Sequence, residues 1–499
     1  MAFAKILQSF LPNWPLRRKY GASIKPVQLK MIDGVQIVVP DSLLLVTPYV
    51  LLEQEDWFED ELKFLRRALR PGQRVIDIGA NYGVYTLPIA KLVGPSGCVW
   101  AFEPASRTAA LLHAGIEANN FTQVVLEKSA LSNSCGTAQL SMHDHSELVS
   151  LVQAGSDRLK TEPVASVTLD DCMQRYRWTQ IDFMKVDAEG EEANILKGGQ
   201  TFFSQLSPLI EYEVKAGDEL RLNLVVDFKA LGYASYRLVP ALDLLIPFDS
   251  NAPTDGYLLN LFCCKRQLAE QLAADGLLVD GAFCDLPAAR RQVEALYRST
   301  ERQYAWNRNI AHLPYGIQLS GHWENTPQTE DSLIIDNALS CYAISRDPNL
   351  SAVERLIALE TSLGMFAGLC QRAPNVARLS SLARVAREFG ARSLALSMLD
   401  PIVSSLFETR QVSLDEPFLV STARFESIPP GDDVGNWVLA SVLEAIEQLC
   451  AYSSFFTGRS AQERLELIAS LGFGSEEMAR RLRLVKARFG EHTGGQQDE

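Results

Sequence analysis

The stretch "VIDIGANYGVYT", Val75 to Thr86, constrains this chain more than any other. An apolar run that ends in a carboxylate and passes through two glycines into a helical pattern reads as a strand, a tight loop and a helix packed back on the strand. In a doubly wound sheet the ligand lies beyond the carboxyl ends of the strands, where the first strand turns into the first helix. Asp77 then ends that strand facing the crevice. Gly79 and Gly83 stand where a side chain would hold a ligand off the backbone. About twenty residues later "AFEP" ends a second strand in Glu103, an acid placed to accept bonds from ribose hydroxyls.

What the loop lacks selects among nucleoside ligands. A GxGxxG fingerprint needs glycines where this chain has Asn81 and Val84, because a pyrophosphate must rest on bare backbone amides. No GxxxxGK[ST] occurs, so a nucleoside triphosphate is not supported. A ligand with a ribose, no phosphates and a cationic end for Asp77 fits better, and S-adenosylmethionine has those parts.

The surrounding sequence predicts an α/β fold. "QLKMIDGVQIVVP" is a hairpin turning at Asp33 and Gly34, and "EQEDWFEDELKFLRRAL" is a helix stopped by Pro71 and Gly72. Strands "RVIDIG", "CVWAFEP", "VVLEKSAL", "IDFMKVDAEG" and "PLIEYEV" alternate with helical segments, and "ASYRLV" and "YLLNLFCCK" form a terminal pair. From residue 266 the pattern is almost wholly helical, as in the i, i+3, i+7 stripe Leu382, Val385 and Phe389, with no fixed-period repeat. The expected organisation is a lead-in over 1–44, an α/β domain over 45–266, an all-helical accessory domain over 267–490 and a disordered tail over 491–499. With 499 residues, two or three domains are the prior.

Charge and cysteine usage remove several function classes. The 47 basic against 61 acidic residues give a net charge of −14, the wrong sign for a chain that works by neutralising phosphate backbones, so nucleic acid is not an expected partner. Nine cysteines without a CxxC pair or zinc-finger histidines fit free thiols in a reducing cytosol. At the N-terminus the basic residues Arg17, Arg18 and Lys19 follow the apolar stretch where a secretory signal would have them lead, so a docked helix is expected there. "SLLLVTPYVLL" is too short to span a bilayer. A cytoplasmic protein without a transmembrane segment is the resulting expectation.

Taken together, "VIDIGANYGVYT", "AFEP", "SVTLDD", "MKVDAEGEEANILKGG" and "PLIEYEV" resemble the FkbM family of S-adenosylmethionine-dependent methyltransferases over roughly residues 45–265. The resemblance implies the seven-stranded, Rossmann-like class I methyltransferase sheet. It also implies methylation of hydroxyls, and in some members other groups, on sugars and natural products. It assigns the cofactor to Asp77, Gly79, Asn81, Gly83 and Glu103, with Ser129 and Ala130 beside the adenine. Lys185, Asp187 and Glu189 go to the reacting face, with Glu213 ending the next strand.

Methyl transfer from a sulfonium is an in-line displacement, so positioning is most of the task, and a hydroxyl acceptor also needs a base. Asp187 is the first choice for that base; Glu189 and Glu213 could instead join it around Mg²⁺, which is weighted below the metal-free reading. Other candidates are His143 and His145 as a metal or acid–base pair, Trp57, Tyr82 and Tyr85 as pocket borders, and Trp437, for which packing is favoured over sugar stacking. The acceptor is expected to be a small molecule or a polysaccharide, and the helical half could bind a protein partner or a second copy. A nicotinamide-dependent oxidoreductase and a non-catalytic scaffold are the competing classes.

Overall fold

The computed structural model describes residues 25–142, 160–216, 219–299, 301–324, 329–409 and 412–489. The expected N-terminal helix, the pair His143 and His145, and the C-terminal tail lie outside these residues.

Eight strands make one mixed sheet: β1 (Arg74–Ile78), β2 (Cys98–Phe102), β3 (Val124–Glu127), β4 (Phe183–Val186), β5 (Leu209–Glu213), β6 (Ala234–Val239), β7 (Leu244–Pro247) and β8 (Asn260–Cys264). Their order across the sheet is β7-β6-β8-β5-β4-β1-β2-β3. Neighbours from β3 to β5 run parallel, and β6 is antiparallel to both β7 and β8. The chain leaves β1 toward β2 and β3, then returns to the other side of β1 at β4. That reversal puts a crevice at the carboxyl ends of β1 and β4, where open α/β sheets bind their ligands.

This is the class I methyltransferase type of sheet with one strand more than expected. The extra strand, β7, pairs Leu244–Pro247 with Val239–Tyr236. Its short "LLIP" run is closed by proline and carries no alternation, so it reads as loop. "VVLEKSAL" also divides: β3 ends at Glu127, and Ser129–Leu131 joins a separate three-stranded sheet with Gly136–Met142 and Lys160–Val167. The hairpin is present as Pro26–Lys30 paired with Gln36–Pro40, turning at Gly34, whose φ is +88°.

The residues group into two compact units. One comprises Met1–Pro48, Arg70–Gly232 and Leu258–Leu261; the other comprises Tyr49–Leu69, Tyr233–Tyr257 and Phe262–Glu499. In the first, parallel strands are buried on both faces, as their unbroken apolar runs require. In the second, helices pack around a core that includes Tyr315, Phe418, Phe425 and Trp437. Trp437 is fully buried and its indole N–H donates to the Ile428 carbonyl at 3.0 Å, so it packs, as expected.

Two helices come from the one predicted over "VARLSSLARVAREFGARSLALSMLDPIV", Val376–Phe389 and Arg392–Thr409, because Gly390 takes φ +88° and ends the first. The helix predicted over "EQEDWFEDELKFLRRAL" is Asp60–Ala68, preceded by Val46–Gln54 with Glu55 left-handed between them. The second unit also buries charge: Arg481 pairs with Glu477 at 2.9 Å and Glu447 at 3.3 Å, and Arg464 pairs with Glu447 at 2.5 Å. Buried cations are tolerable only when paired in this way. Among the described residues no helix is long and apolar enough to cross a membrane.

Candidate active site

At the end of β1, Asp77 is buried, and its Oδ2 accepts from the Thr86 hydroxyl at 2.5 Å. Thr86 opens the helix Thr86–Val93, so this bond ties the strand to the helix it feeds. Oδ1 is equally buried and has no partner. Desolvation raises the Asp77 carboxyl above the ordinary range, against the opposing pull of Lys185 and Thr86.

The loop after Asp77 is held by its backbone. The N–H groups of Gly79 and Ala80 both donate to the Phe102 carbonyl, at 3.1 and 3.0 Å, and Asn81 N–H donates to Glu103 Oε2 at 2.9 Å. Glu103 Oε1 takes the Ala105 N–H at 2.8 Å, so this carboxylate clamps the loops that follow β1 and β2. Burial pushes Glu103 up to about 7, although both N–H bonds favour the ionised form. Asn81 adopts φ +48°, a left-handed conformation that asparagine tolerates better than most residues, and its Oδ1 is buried without a partner. The Ser129 hydroxyl is buried and unpartnered as well. Ala130 packs with Ala105, Leu140 and Val164.

The reason for the two glycines differs from the one the sequence suggested. A Cβ on Gly79 would stand 1.8 Å from the carbonyl oxygen of Asp187, and one on Gly83 would stand 2.6 Å from Leu112 Cδ1. Protein atoms fill the space above both. Gly79 lets the β1 loop close on the β4 loop, and Gly83 lets its helix close on the helix Ser106–Ala118.

Across the sheet Asp77 is in register with Lys185 of β4, which is in register with Glu211 of β5. Residues paired in register share a face, so one face carries three buried ionisable side chains side by side. Lys185 Nζ binds Asp187 Oδ2 at 2.5 Å and lies 4.7 Å from the centre of the Tyr85 ring. The cation thus offsets acids on several sides at once. Tyr85 lies under Lys185, Tyr82 is buried, and Trp57 belongs to the second unit, where it packs on Phe58.

Glu189 has φ +48° in the turn after β4. Its side chain reaches the surface, yet the protein beneath strips part of its hydration, and with Asp187 and Glu192 nearby this raises its carboxyl to about 7. Half-buried Glu213 is pushed up to about 9 by desolvation first, then by Asp187 and Glu189. Such raised carboxyls cluster where proton transfer is done. The Mg²⁺ alternative is not supported: among the described residues no group of three or more His, Cys, Asp or Glu could hold a metal, and Lys185 already occupies Asp187 Oδ2.

Thr86, Glu192, Glu211 and Arg221 escaped the sequence reading. Glu192 Oε1 accepts from the N–H groups of Ala188 and Gly190, and Arg221 Nη1 lies 3.5 Å from Oε2. The two acids in "EYE" could have been read as one strand face by their i, i+2 spacing.

Residues 77–234 match the family model described as Methyltransferase FkbM domain. No curated protein matches the chain. Similar solved structures include a methyltransferase FkbM from Methylobacillus flagellatus, 14% identical, covering 45% of this chain and 56% of that one, with a TM-score of 0.27. A SAM-dependent O-methyltransferase from Thermotoga maritima is 15% identical, covering 48% and 77%, at 0.24. A SAM-dependent methyltransferase from Aquifex aeolicus is 14% identical, covering 44% and 92%, at 0.25. The match to the family model falls on the segment that carries Asp77, Glu103, Lys185 and Asp187, and that segment is a methyltransferase domain.

Proposed function

We propose that the chain uses S-adenosylmethionine to methylate a hydroxyl on a sugar, glycan or natural product. The observation that carries the cofactor half of this reading is the set of buried polar atoms left without partners: Asp77 Oδ1, Asn81 Oδ1 and Ser129 Oγ. Leaving a buried polar atom unbonded costs on the order of 1–3 kcal/mol, so each of these atoms favours a ligand group that completes it. Asp77 Oδ1 suits the ligand's amino group. Glu103 keeps lone pairs free for ribose hydroxyls after accepting two N–H bonds, and Asn81 and Ser129 can bond the rest of the nucleoside.

S-adenosylmethionine supplies an electrophilic methyl carbon on a sulfonium. With it bound, an acceptor oxygen would form the new bond to that carbon as the carbon–sulfur bond breaks, the bonding pair staying on sulfur. The acceptor's proton passes to a carboxylate. Asp187 can take it, with Lys185 holding the carboxylate in place, and Glu189 stands two residues away with a carboxyl poised near neutrality. Displacement of this kind depends chiefly on holding acceptor and methyl in line.

The test is transfer of radiolabel from S-adenosylmethionine to a panel of monosaccharides, polysaccharides and phenolic natural products, with amine analogues as controls. Label in a hydroxyl acceptor supports the reading; label only in amines assigns the transfer to nitrogen instead.

A further inference from the structure

We propose that Glu192 is the positioning residue of the reacting face, the group that fixes the turn Asp187–Gly190 in the conformation an acceptor meets. The proposal rests on the methyltransferase reading for what the turn does, but its geometry stands by itself.

Three observations converge on Glu192. It is buried, and one of its oxygens accepts two backbone N–H bonds, from Ala188 at 3.1 Å and Gly190 at 3.0 Å. Those two amides flank Glu189, which sits at φ +48°, a left-handed conformation unfavourable for a residue with a side chain. A strained residue persists only where its surroundings over-determine it, and the paired bonds to its neighbours supply that constraint. On the other side of the turn, the Asp187 carbonyl oxygen lies where a Cβ on Gly79 would fall, so the turn is seated against the β1 loop as well. Glu192 itself is held from outside by Arg221. The side chains of Asp187 and Glu189 therefore leave a piece of backbone fixed at both ends. Without Glu192, Glu189 would be free to relax out of its left-handed conformation, and two amides would lose their acceptor.

Glutamine at 192 keeps one oxygen able to accept both N–H groups, whereas alanine keeps none. Hydrogen–deuterium exchange on the full-length chain reads this directly. Glu192→Ala is expected to speed exchange of the Ala188 and Gly190 amides about tenfold or more, with the Asp77–Thr86 peptide unchanged, and Glu192→Gln to restore slow exchange. If Glu192→Ala does not fold, Glu192→Met, of similar length without an acceptor, carries the same expectation. S-adenosylhomocysteine affinity should stay within about twofold in every variant. Equal exchange in unmutated, alanine or methionine, and glutamine proteins would overturn the proposal, and so would glutamine failing to rescue. An unmutated protein that binds no S-adenosylhomocysteine would instead remove the methyltransferase reading and leave the exchange result to decide the role of Glu192.

Discussion

Each flank of the crevice carries a buried glutamate that accepts two backbone N–H bonds, Glu103 on one and Glu192 on the other, but the flanks differ in what else they leave open. On the β1 side Asp77 and Asn81 each leave a buried polar atom without a partner. On the β4 side Lys185 bonds Asp187, Glu192 bonds two amides, and Arg221 approaches Glu192. A flank with open valences is completed by a ligand, whereas a flank that satisfies itself holds its own shape and leaves the incoming molecule to compete for contacts. The first is what a cofactor site needs, and the second suits a surface on which acceptors are aligned.

The strongest way to break this contrast is at the point where the flanks touch. Gly79→Ala places a methyl against the Asp187 carbonyl in a residue at φ +80°, so it should destabilise the first unit by about 2–5 kcal/mol, through overpacking and left-handed strain. Urea unfolding followed by the fluorescence of Trp100 and Trp178 would record it; an unchanged midpoint would mean that the loops are not seated together.

Asp187→Asn should separate the flanks. Methyl transfer to a hydroxyl acceptor is expected to fall about a hundredfold while S-adenosylhomocysteine affinity holds within about twofold. A parallel loss of both would place Asp187 on the cofactor side.

Glu103→Gln tests the β1 flank more gently. One oxygen becomes an NH₂ facing the N–H of Asn81 or Ala105, and calorimetry should show S-adenosylhomocysteine binding weakened by about 1–2 kcal/mol, with Glu103→Ala weaker still. Equal affinities for adenosyl and deoxyadenosyl ligands would remove the ribose from this contact.

A further expected effect is on pH. Glu103 and Glu189 titrate near 7 in the folded chain and Glu213 near 9, all above the value of 4.5 for a free side chain. The folded state therefore holds protons that the unfolded state has released, and stability declines as pH rises from about 4.5. Above about 7 only Glu213 of these three continues to contribute, so Glu213→Gln should flatten the slope between pH 7 and 9 in denaturant titrations. An identical slope would show that Glu213 is not shifted.

Much of the β1 flank is legible in the sequence because its determinants are local: a strand, a carboxylate and a loop fit within Val75–Thr86, and Glu103 follows at a recognisable interval. What Gly79 accommodates is not legible, since the atom it makes room for belongs to Asp187 on a neighbouring strand. Glu192 is hidden among the acids of "AEGEEAN", where nothing in the pattern says which one turns inward. The helix Pro314–Trp323 contains Gly316 and Gly321 and so reads as loop. The helix Glu330–Ser345 buries Asp336, Ser340 and Ser345 beside its apolar residues, which blurs the stripe. The grouping of 49–69 with the helical unit depends on contacts such as Tyr49 with Ser454, 405 residues apart, which no local pattern encodes.

The central claim, that the open flank is a site for S-adenosylmethionine, is tested most directly by titration calorimetry of the full-length protein. S-adenosylhomocysteine, NAD, and S-adenosylhomocysteine against Asp77→Asn are the three arms. Micromolar binding of S-adenosylhomocysteine, no binding of NAD, and a loss of about tenfold or more in the Asp77→Asn protein are expected, since a hydrogen bond to an ionised carboxylate contributes about 1.5–3 kcal/mol. Binding of NAD, absence of S-adenosylhomocysteine binding, or an affinity indifferent to Asp77 would contradict the claim.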